Sequence, residues 1–277
     1  MKKILITAPA RQEPKVFNEY RESIAQLIVP SGYAVQCYYV INNCDELIPC
    51  LHEGDVYSIC NTDEEYKKTG NDHIWTFRNM QIMGIMRNYT IQYALDNGFD
   101  YWFSIDTDLV LHPNVLVELL NADKDIVSEI FWSTSQDVNT WCNAWMCDQA
   151  TGMPDEWKTP GLYRCGMTGA CTLVKRKVLE AGVNYSRVPN ILYALRGEDR
   201  HFCVRAAVHG FELWIDTHYP CDHLYTEQVY QEYMARKEKR LTLADPERAV
   251  TNSGNVTLPK TDVFTTNPNS KEVSKHG

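Results

Sequence analysis

Residues 101–108 read YWFSIDTD, the most informative segment of the sequence. Its first five residues are mostly aromatic or apolar, which is typical of a strand buried inside a sheet. Two acids, Asp106 and Asp108, follow with one residue between them. Because ligands of open α/β sheets gather at the carboxyl ends of the strands, the stretch predicts an α/β fold with a polar site where this strand ends.

The same alternation of strands and helices continues on both sides of this strand. The sequence predicts helices at 16–28, 79–97, 115–120, 200–208 and 224–240. It predicts further strands at 3–8, 34–41, 56–59, 125–131, 169–174 and 211–215. Gly98 predicts the C-terminal end of the helix that precedes the acidic strand. This order is typical of βαβ units and predicts a mixed, mostly parallel central sheet.

Length and composition are those of an ordinary globular protein. The 277 residues are 44% apolar and 23% charged, which excludes a mainly disordered, collagen-like or coiled-coil chain. The net charge of −9 argues against a nucleic-acid-binding protein, whose contact surface is usually basic. From about residue 241 onward polar residues dominate and aromatic residues nearly vanish. We therefore expect one domain over 1–240 and a C-terminal tail or arm over 241–277.

The sequence carries no signal for a membrane span. No apolar run reaches the roughly 18 residues that a span requires, and the apolar start is too short for a signal peptide, so we expect a cytosolic protein. The basic run at 236–240 could lie on a membrane surface, but a packed helix with a solvated end is the favoured interpretation. The 10 cysteines include no C-x-x-C pair, which predicts reduced thiols.

The two acids of the YWFSIDTD stretch predict a cation site. Carboxylate oxygens are hard ligands and suit Mg²⁺ or Mn²⁺, which keep bound waters and bridge to phosphates. The alternative is a turn with two solvated acids. The position directly after an apolar strand favours the functional interpretation.

Several short motifs, in this order and spacing, resemble the GT-A glycosyltransferases, especially the family-two enzymes and their mannosyltransferase-like relatives. These motifs are Arg87-Asn88, the D-x-D of Asp106 and Asp108, the small-residue segment at 165–176, GEDR at 197–200 and CDH at 221–223. The resemblance spans about residues 3–225. It implies a Rossmann-like fold of nucleotide-diphospho-sugar transferases, a sugar donor linked to UDP or GDP, and a glycan or other hydroxyl acceptor.

The resemblance also implies which residues hold a metal ion. Asp106, Asp108 and His223 would bind Mn²⁺ or Mg²⁺, with Asp108 bonded directly. Asp106 would lie near the donor's ribose or reach the ion through water. His218, which follows the same predicted strand, is the rival for the histidine position.

On the acceptor side, the resemblance points to the acids of the GEDR motif. Asp199 would take the proton of the acceptor hydroxyl in an inverting enzyme, with Glu198 as its neighbour; in a retaining enzyme, Asp199 would orient the acceptor. Gly169 and Ala170 are small enough to let a sugar approach the backbone. Trp141 could stack on a sugar ring or belong to the core.

On the donor side, the resemblance points to the ends of the first two strands and to the helix before the acidic strand. The residues concerned are Thr7, Pro9, Arg11, Asn43, Asp45, Arg87 and Asp106. Both strand ends depart from the family pattern, so the nucleotide stays open. We expect Arg87 to support the diphosphate and Arg87→Ala to leave the melting temperature nearly unchanged; the alternative is a solvated helix charge.

Two other functions stay open at the level of sequence. The segment IDTDLV at 105–110 also resembles the nucleophile strand of haloacid-dehalogenase-like phosphatases, although that motif normally opens its domain. A non-catalytic nucleotide-sugar-binding protein on the same fold is the second alternative. A nucleotide-sugar pyrophosphorylase would need a Gly-rich, Arg-containing loop after the first strand, and residues 7–10 do not provide one.

Overall fold

Strands and helices alternate along the first half of the chain. The computed structural model of the protein describes residues 1–65, 67–69, 72–134, 140–146, 153–189, 197–244 and 271–272. The elements of the first half are β1 (Lys2–Ala10), α1 (Pro14–Ala25), β2 (Tyr33–Ile41), a 3-10 helix (Asp45–Cys50), β3 (Val56–Ile59), β4 (Lys67–Thr69), β5 (Asp72–Ile74), α2 (Phe77–Asp96), β6 (Tyr101–Ile105) and β7 (Leu109–Val110).

Shorter strands become frequent in the second half. Its elements are α3 (Val115–Asn121), β8 (Ile126–Thr134), β9 (Thr140–Cys142), β10 (Ala144–Trp145), a 3-10 helix (Asp155–Lys158), β11 (Leu162–Cys165), β12 (Met167–Thr168), β13 (Cys171–Lys175), α4 (Arg176–Glu180), α5 (Glu198–Val208), β14 (Leu213–His223), α6 (Glu227–Ala244) and β15 (Lys271–Glu272). The sequence analysis did not predict β9 to β12.

One central sheet organises the fold, in the strand order β11-β14-β8-β13-β6-β1-β2-β3-β15. β1 pairs in parallel with β2 and β6, and β2 pairs in parallel with β3. β13 is antiparallel to both of its neighbours, β6 and β8, so that β8 and its parallel partner β14 run in the same direction as β1. The predicted α/β class with a mixed, mostly parallel sheet is confirmed.

Residues that alternate along the strands bury two apolar cores, one on each face of the sheet. On β1, Ile4 and Ile6 pack in the core beneath α1 and α3, whereas Leu5 packs in the core beneath α2, α4 and α5. Period-two alternation of side chains along a strand produces this division. Both faces of β1 are therefore covered, as expected for a strand in the middle of a parallel sheet.

The helix before the acidic strand has well-defined ends. The side chain of Thr76 caps α2 by accepting a hydrogen bond from the backbone N–H of Asn79 at 3.0 Å. At the other end, Gly98 adopts a φ of 66°, which few residues other than glycine adopt readily. The C-terminal stop predicted at Gly98 is confirmed, and the chain turns there directly into β6.

Most differences between the predicted and observed elements lie at their ends. The helix predicted at 16–28 ends at Ala25, with Ile28 exposed, and the helix predicted from residue 200 begins at Glu198. The strand predicted at 211–215 continues to His223, because its last residues pair with β7. A partner strand this far away in the sequence is not visible in local periodicity.

The packed helix predicted at 224–240 is observed as α6, over Glu227–Ala244. Tyr233 on α6 lies in a small apolar cluster with Val16 of α1 and with Leu224. Lys237 forms ion pairs with Glu19 and Glu22 of α1 at 2.6 and 2.7 Å. Part of the basic run is therefore used inside the molecule. Contact with a membrane surface stays a prediction.

The described residues bear on only part of the predictions about membrane spans, cysteines and the domain boundary. Within that part of the chain, no helix is both long and apolar enough to cross a bilayer. The nine described cysteines form no disulfide with one another, and the reduced state of the thiols stays a prediction. Most of 241–277 lies outside the described residues, so the boundary at residue 240 stays a prediction.

Candidate functional site

A cleft lies along the edge of the sheet where the parallel strands end. β1, β2, β3 and β6 run in the same direction, so that the residues following each of them meet at this edge. The part of the cleft near α2, the α2 half, is lined by residues that follow these strands and by α2 itself, among them Pro9, Arg11, Asn42, Thr62, Asn79, Ile82 and Asp106.

A second part of the cleft, the α5 half, has a volume of about 470 Å³. Its lining combines acids, aromatic rings and the start of α5, among them Arg87, Phe131, Trp141, Gly169, Glu198, Asp199, His223 and Tyr225. Trp75, Met83, Asp106 and Asp108 line both halves. The two acids of the D-x-D motif therefore lie where the two halves meet.

Arg87 forms an ion pair with Asp106. One guanidinium nitrogen of Arg87 donates to Asp106 Oδ1 at 2.7 Å, and the other terminal nitrogen donates to Ser104 Oγ at 2.6 Å. Burial raises the pKa of Asp106 to about 6, with Asp108 and Asp199 adding to the rise and Arg87 opposing it. The ion pair thus fixes the direction of the first acid of the motif.

Arg87 is not a surface charge. It is only 1% exposed, and its Nε lies 4.0 Å from Glu198 Oε1. Burial lowers the pKa of Arg87, but Asp106, Asp199, Tyr185 and Glu198 together raise it by more, so the group stays charged. The alternative of a solvated helix charge is wrong. The expectation that Arg87→Ala would leave the melting temperature unchanged has no physical basis at a buried ion pair.

Asp108 faces His223, the histidine that the resemblance favoured. His223 Nε2 lies 3.4 Å from Asp108 Oδ2, and His223 Nδ1 hydrogen-bonds Ser133 Oγ at 2.6 Å. The contact with Ser133 turns the other ring nitrogen towards the carboxylate. One carboxylate and one imidazole that face each other in a cleft fit Mn²⁺, which accepts nitrogen as well as oxygen ligands. Metal binding itself stays a prediction.

His218 belongs to a different group of side chains. Its Nδ1 lies 2.9 Å from Asp216 Oδ2 and 3.8 Å from Glu118 Oε1. In the described part of the chain, these three residues are the one set of three potential metal ligands whose ligand atoms all lie within 4.8 Å of one another. Asp106 does not join Asp108 and His223 in such a set, which is compatible with the predicted contact of Asp106 with the ion through water.

The acids of the GEDR motif lie at the start of α5, facing the α5 half of the cleft. Gly197 is the N-cap of α5, so Glu198 and Asp199 occupy its first turn and are not the cap. Burial, reinforced by Asp199, raises the pKa of Glu198 to about 8 against the opposing effect of Arg87. Burial also raises the pKa of Asp199, against Arg87 and Arg200. Asp199 Oδ1 is buried without a hydrogen-bond partner among the described residues.

Gly169 lets Asp199 lie against the backbone. A Cβ atom at Gly169 would lie 2.5 Å from Asp199 Cγ, closer than real atoms approach. The next residue, Ala170, adopts a φ of 68° and accepts a hydrogen bond from the backbone N–H of Asp106 at 2.8 Å. This turn therefore contacts both Asp106 of the D-x-D motif and Asp199 on α5.

Aromatic rings form one wall of the α5 half. The rings of Phe131 and Trp141 lie 6.0 Å apart, and Trp141 also contacts His223 edge-on at 6.0 Å. Tyr225 stacks on His223 at 4.8 Å. Trp141 is 40% exposed, so it is part of the cleft wall and not of the core. Apolar ring faces of this kind suit the C–H faces of a sugar.

Only some of the residues predicted on the donor side reach the cleft. Pro9 and Arg11 line the α2 half. Thr7 is fully buried within β1. Asn43 binds the backbone of residue 62 through both ends of its side-chain amide, and Asp45 is exposed at the start of a 3-10 helix. The structure does not bring these three residues into the lining of the cleft.

The sequence analysis missed other residues of the site. Asn42 lines the α2 half, one position before the predicted Asn43. Asn143 bridges the site by donating to the carbonyl oxygens of Glu129 and Gly169 at 3.0 and 2.8 Å. Ser133 lies two residues beyond Phe131 on β8, so period-two spacing at a strand end was the signal that could have found it.

Comparisons with known proteins give structural matches only. No family model matches the chain, and no curated protein matches it by sequence. A structure of CMP:2-keto-3-deoxy-manno-octonic acid synthetase complexed with CTP has a TM-score of 0.48 and 9% identity over 87% of this chain and 100% of that one. An apo UDP-glucose pyrophosphorylase has a TM-score of 0.47 and 10% identity over 87% of this chain and 99% of that one.

A third structure, S. aureus TarS 1-349 in complex with UDP-GlcNAc, has a TM-score of 0.45 and 10% identity. The match covers 79% of this chain but only 58% of the TarS chain. Because structural overlap and identity are low in all three cases, the functional conclusion depends on the site alone.

Proposed function

We propose that the protein is a metal-dependent glycosyltransferase that moves a sugar from a nucleoside-diphosphate sugar to a hydroxyl acceptor. The observation that carries the proposal is the position of Asp108 and His223, 3.4 Å apart, at the junction of the two halves of the cleft. A metal ion there would lie between a donor in the α2 half and an acceptor in the α5 half.

The α2 half is suited to the nucleotide part of the donor. Its floor is formed by residues at the carboxyl ends of parallel strands, the usual place for a nucleotide in such a sheet. Arg11 adds a positive charge to the lining, and Trp75, which is 41% exposed, offers a ring face. We assign the recognition of the base to this half, with Asn42 in place of Asn43 and Asp45.

Asp108 and His223 are the residues that would hold Mn²⁺. When bound, the ion supplies a Lewis acid that stabilises the negative charge developing on the leaving diphosphate. Ser133 keeps Nε2 of His223 pointed at the site, and Arg87 keeps Asp106 oriented at the same junction. Arg87 acts through Asp106 and does not itself reach out to the diphosphate.

We assign to Asp199, which lines the α5 half, the role of accepting the proton of the acceptor hydroxyl. The acceptor oxygen forms a bond to the anomeric carbon, the bond from that carbon to the diphosphate oxygen breaks, and the hydroxyl proton passes to the Asp199 carboxylate. Asp199 lines this half of the cleft, and burial raises its pKa, which favours uptake of the proton. A single displacement of this kind inverts the anomeric configuration.

The reaction of a haloacid-dehalogenase-like phosphatase fits the geometry of this site less well. In that reaction the first acid of the motif attacks phosphorus, so its carboxylate must be free. Here Asp106 is bound by a buried guanidinium at 2.7 Å. Arg87 holds Oδ1 of Asp106 in a structural contact. Asp108, the second acid of the motif, faces His223.

Two variants test the assignment of roles. Asp199→Asn should reduce transfer by a factor on the order of 10²–10⁴ while leaving donor binding in the presence of Mn²⁺ near the wild-type value. Asp108→Asn should instead weaken metal-dependent donor binding. Product analysis by NMR should show inverted configuration at the transferred sugar.

The outcomes separate the roles from one another. Normal transfer by Asp199→Asn would leave Asp199 as a structural residue at the start of α5. A loss of donor affinity in that variant would move Asp199 to the donor side. Retained configuration in the product would contradict the single displacement.

A further inference from the structure

Four polar side chains form a second group outside the candidate cleft. Glu129 of β8 and Asp216 of β14 are directly opposite each other in the parallel pairing of these strands, and both are at most 1% exposed. Glu118 of α3 and His218 of β14 lie beside Asp216. None of the four lines either half of the cleft described above.

The three outer members of this group have the geometry of metal ligands. His218 Nδ1 is 2.9 Å from Asp216 Oδ2 and 3.8 Å from Glu118 Oε1. Two ligand atoms bound tetrahedrally to Zn²⁺, with bonds of 2.0–2.2 Å, lie about 3.4 Å apart. The two observed separations bracket this value. Glu118 and His218 are about one third exposed, which leaves the group open to solvent.

Glu129, directly opposite Asp216 in the strand pairing, is a fully buried acid. Its Oε1 accepts a hydrogen bond from the backbone N–H of Tyr219 at 3.3 Å, but its Oε2 has no hydrogen-bond partner among the described residues. An unsatisfied buried oxygen of this kind calls for an explanation, and an ion bound beside Asp216 would supply one.

The neighbouring cations are engaged elsewhere. Within the described part of the chain, the ion pairs formed by Asp216 and by Glu118 are both with His218. Lys124, close in sequence to α3, lies over the ring of Trp214 at 3.9 Å, and His112 stacks on Tyr219 at 4.6 Å. Among the described residues, His218 is therefore the cationic side chain next to Asp216 and Glu118.

We propose that Glu118, Asp216 and His218, next to the buried Glu129, form a second metal site that binds a transition-metal dication of the Zn²⁺ type. One imidazole and two or three carboxylates are a donor set that Zn²⁺ accepts and that Mg²⁺, which prefers oxygen ligands and bound water, does not favour. The site is structural, since none of its members lines the cleft.

The position of this site suggests what the ion does. It would join α3 to β14 at the point where the pairing of β14 with β8 shifts register between Asp216 and Cys221. His223, the candidate ligand in the cleft, follows this irregular stretch on the same strand. A bound ion that ordered this stretch would therefore stabilise the position of β14, the strand that carries His223.

The test is Zn²⁺ binding to the full chain after removal of metal with a chelator. The parent protein carries Asp108→Asn and His223→Gln, so that the candidate cleft site cannot contribute. Isothermal titration with Zn²⁺ should show one tight site per chain. Adding His218→Gln, or separately Glu118→Gln, should weaken this site at least tenfold. His209→Gln, at an exposed histidine after α5, is the matched control and should leave the affinity unchanged.

The contradicting results are equally specific. Absence of tight Zn²⁺ binding by the parent, or unchanged affinity in both His218→Gln and Glu118→Gln, would overturn the proposal. Displacement of Zn²⁺ by an equal concentration of Mg²⁺ would overturn the assignment to a transition metal. Both substituted side chains are partly exposed, so the variants should fold, and circular dichroism checks this. The measurement involves no activity, so its failure is independent of the proposed transferase function.

Discussion

Arg87 is the residue on which the electrostatics of the cleft depend. It is buried, it binds Asp106 and Ser104 directly, and it lies within 4.0 Å of Glu198. Its single positive charge faces acids from two different parts of the chain. The ion pair therefore couples the D-x-D motif to the start of α5, and loss of Arg87 leaves these acids without compensation.

Replacement of Arg87 should therefore destabilise the whole fold. Arg87→Ala should lower the free energy of unfolding by roughly 3 kcal/mol, because the partners of a broken buried pair remain buried. Urea denaturation followed by circular dichroism measures the change. Arg78→Ala, at an exposed position on the same helix, is the control and should change stability by less than about 0.5 kcal/mol. Equal stability of the two variants would show that Arg87 is not a buried ion-pair partner.

Ser133 should control metal affinity without touching the metal. Ser133→Ala removes the hydrogen bond to Nδ1 of His223, so the ring loses its fixed orientation towards Asp108. Partners of this kind typically contribute 10–100-fold to metal affinity. We expect a loss of roughly that size for Mn²⁺, measured by titration, with the fold intact. Wild-type affinity in Ser133→Ala, matching that of the exposed control Ser186→Ala, would refute this role.

At the residue scale, the sequence predicts a functional residue where the signal lies in its neighbours along the chain. Asp106 and Asp108 could be identified because a strand-like run ends directly before them. The burial of Arg87 and the contact of Ser133 with His223 could not be identified, because they depend on how separate strands and helices pack. Asn43 was preferred to Asn42 because a one-residue shift at a strand end cannot be resolved from the sequence.

At the scale of elements, the closest contact in the site is between the turn before β13 and the first turn of α5. Gly169 lies against the carboxylate of Asp199 with no room for a side chain. The same turn accepts the backbone hydrogen bond of Asp106 through Ala170. A side chain added in this turn would therefore displace Asp199, the residue proposed to accept the proton.

Gly169→Ala should reduce transfer strongly in a folded protein. The added Cβ must push Asp199 away from its position, and a displacement of about 1 Å in a catalytic group can reduce the rate on the order of 10²-fold. Steady-state transfer rates measure the effect. In an Asp199→Asn background the same substitution should add little, because the base is already absent. Additive losses in the double variant would contradict the proposed contact.

Elements with a long, periodic apolar pattern were predicted well. Short strands and strand ends that form only against a distant partner strand were predicted less well. β6 was predicted with its observed bounds, and the end of α2 was located through Gly98. The extension of β14 to His223 was missed, because it requires the short partner β7. β9, β10 and β12 were missed because strands of two or three residues carry too few side chains for a period to be visible, and β11 was missed because it forms against the distant β14.

At the scale of the whole molecule, the direction of the sheet strands creates the site. Parallel strands β1, β2, β3 and β6 bring their ends to the α2 half, and β13, which runs in the opposite direction, begins at the same edge. The two halves therefore share the acids of the D-x-D motif. A donor and an acceptor bound in the two halves would meet at Asp106 and Asp108.

The most direct test of this account is the release of nucleoside diphosphate from a panel of UDP- and GDP-linked sugars. The account predicts release from at least one donor in the presence of Mn²⁺, loss of release in excess EDTA, and loss in Asp108→Asn at the same Mn²⁺ concentration. Full turnover in EDTA, or a wild-type rate in Asp108→Asn, would contradict the metal-dependent reaction. Binding of a donor without any release would identify a binding protein instead.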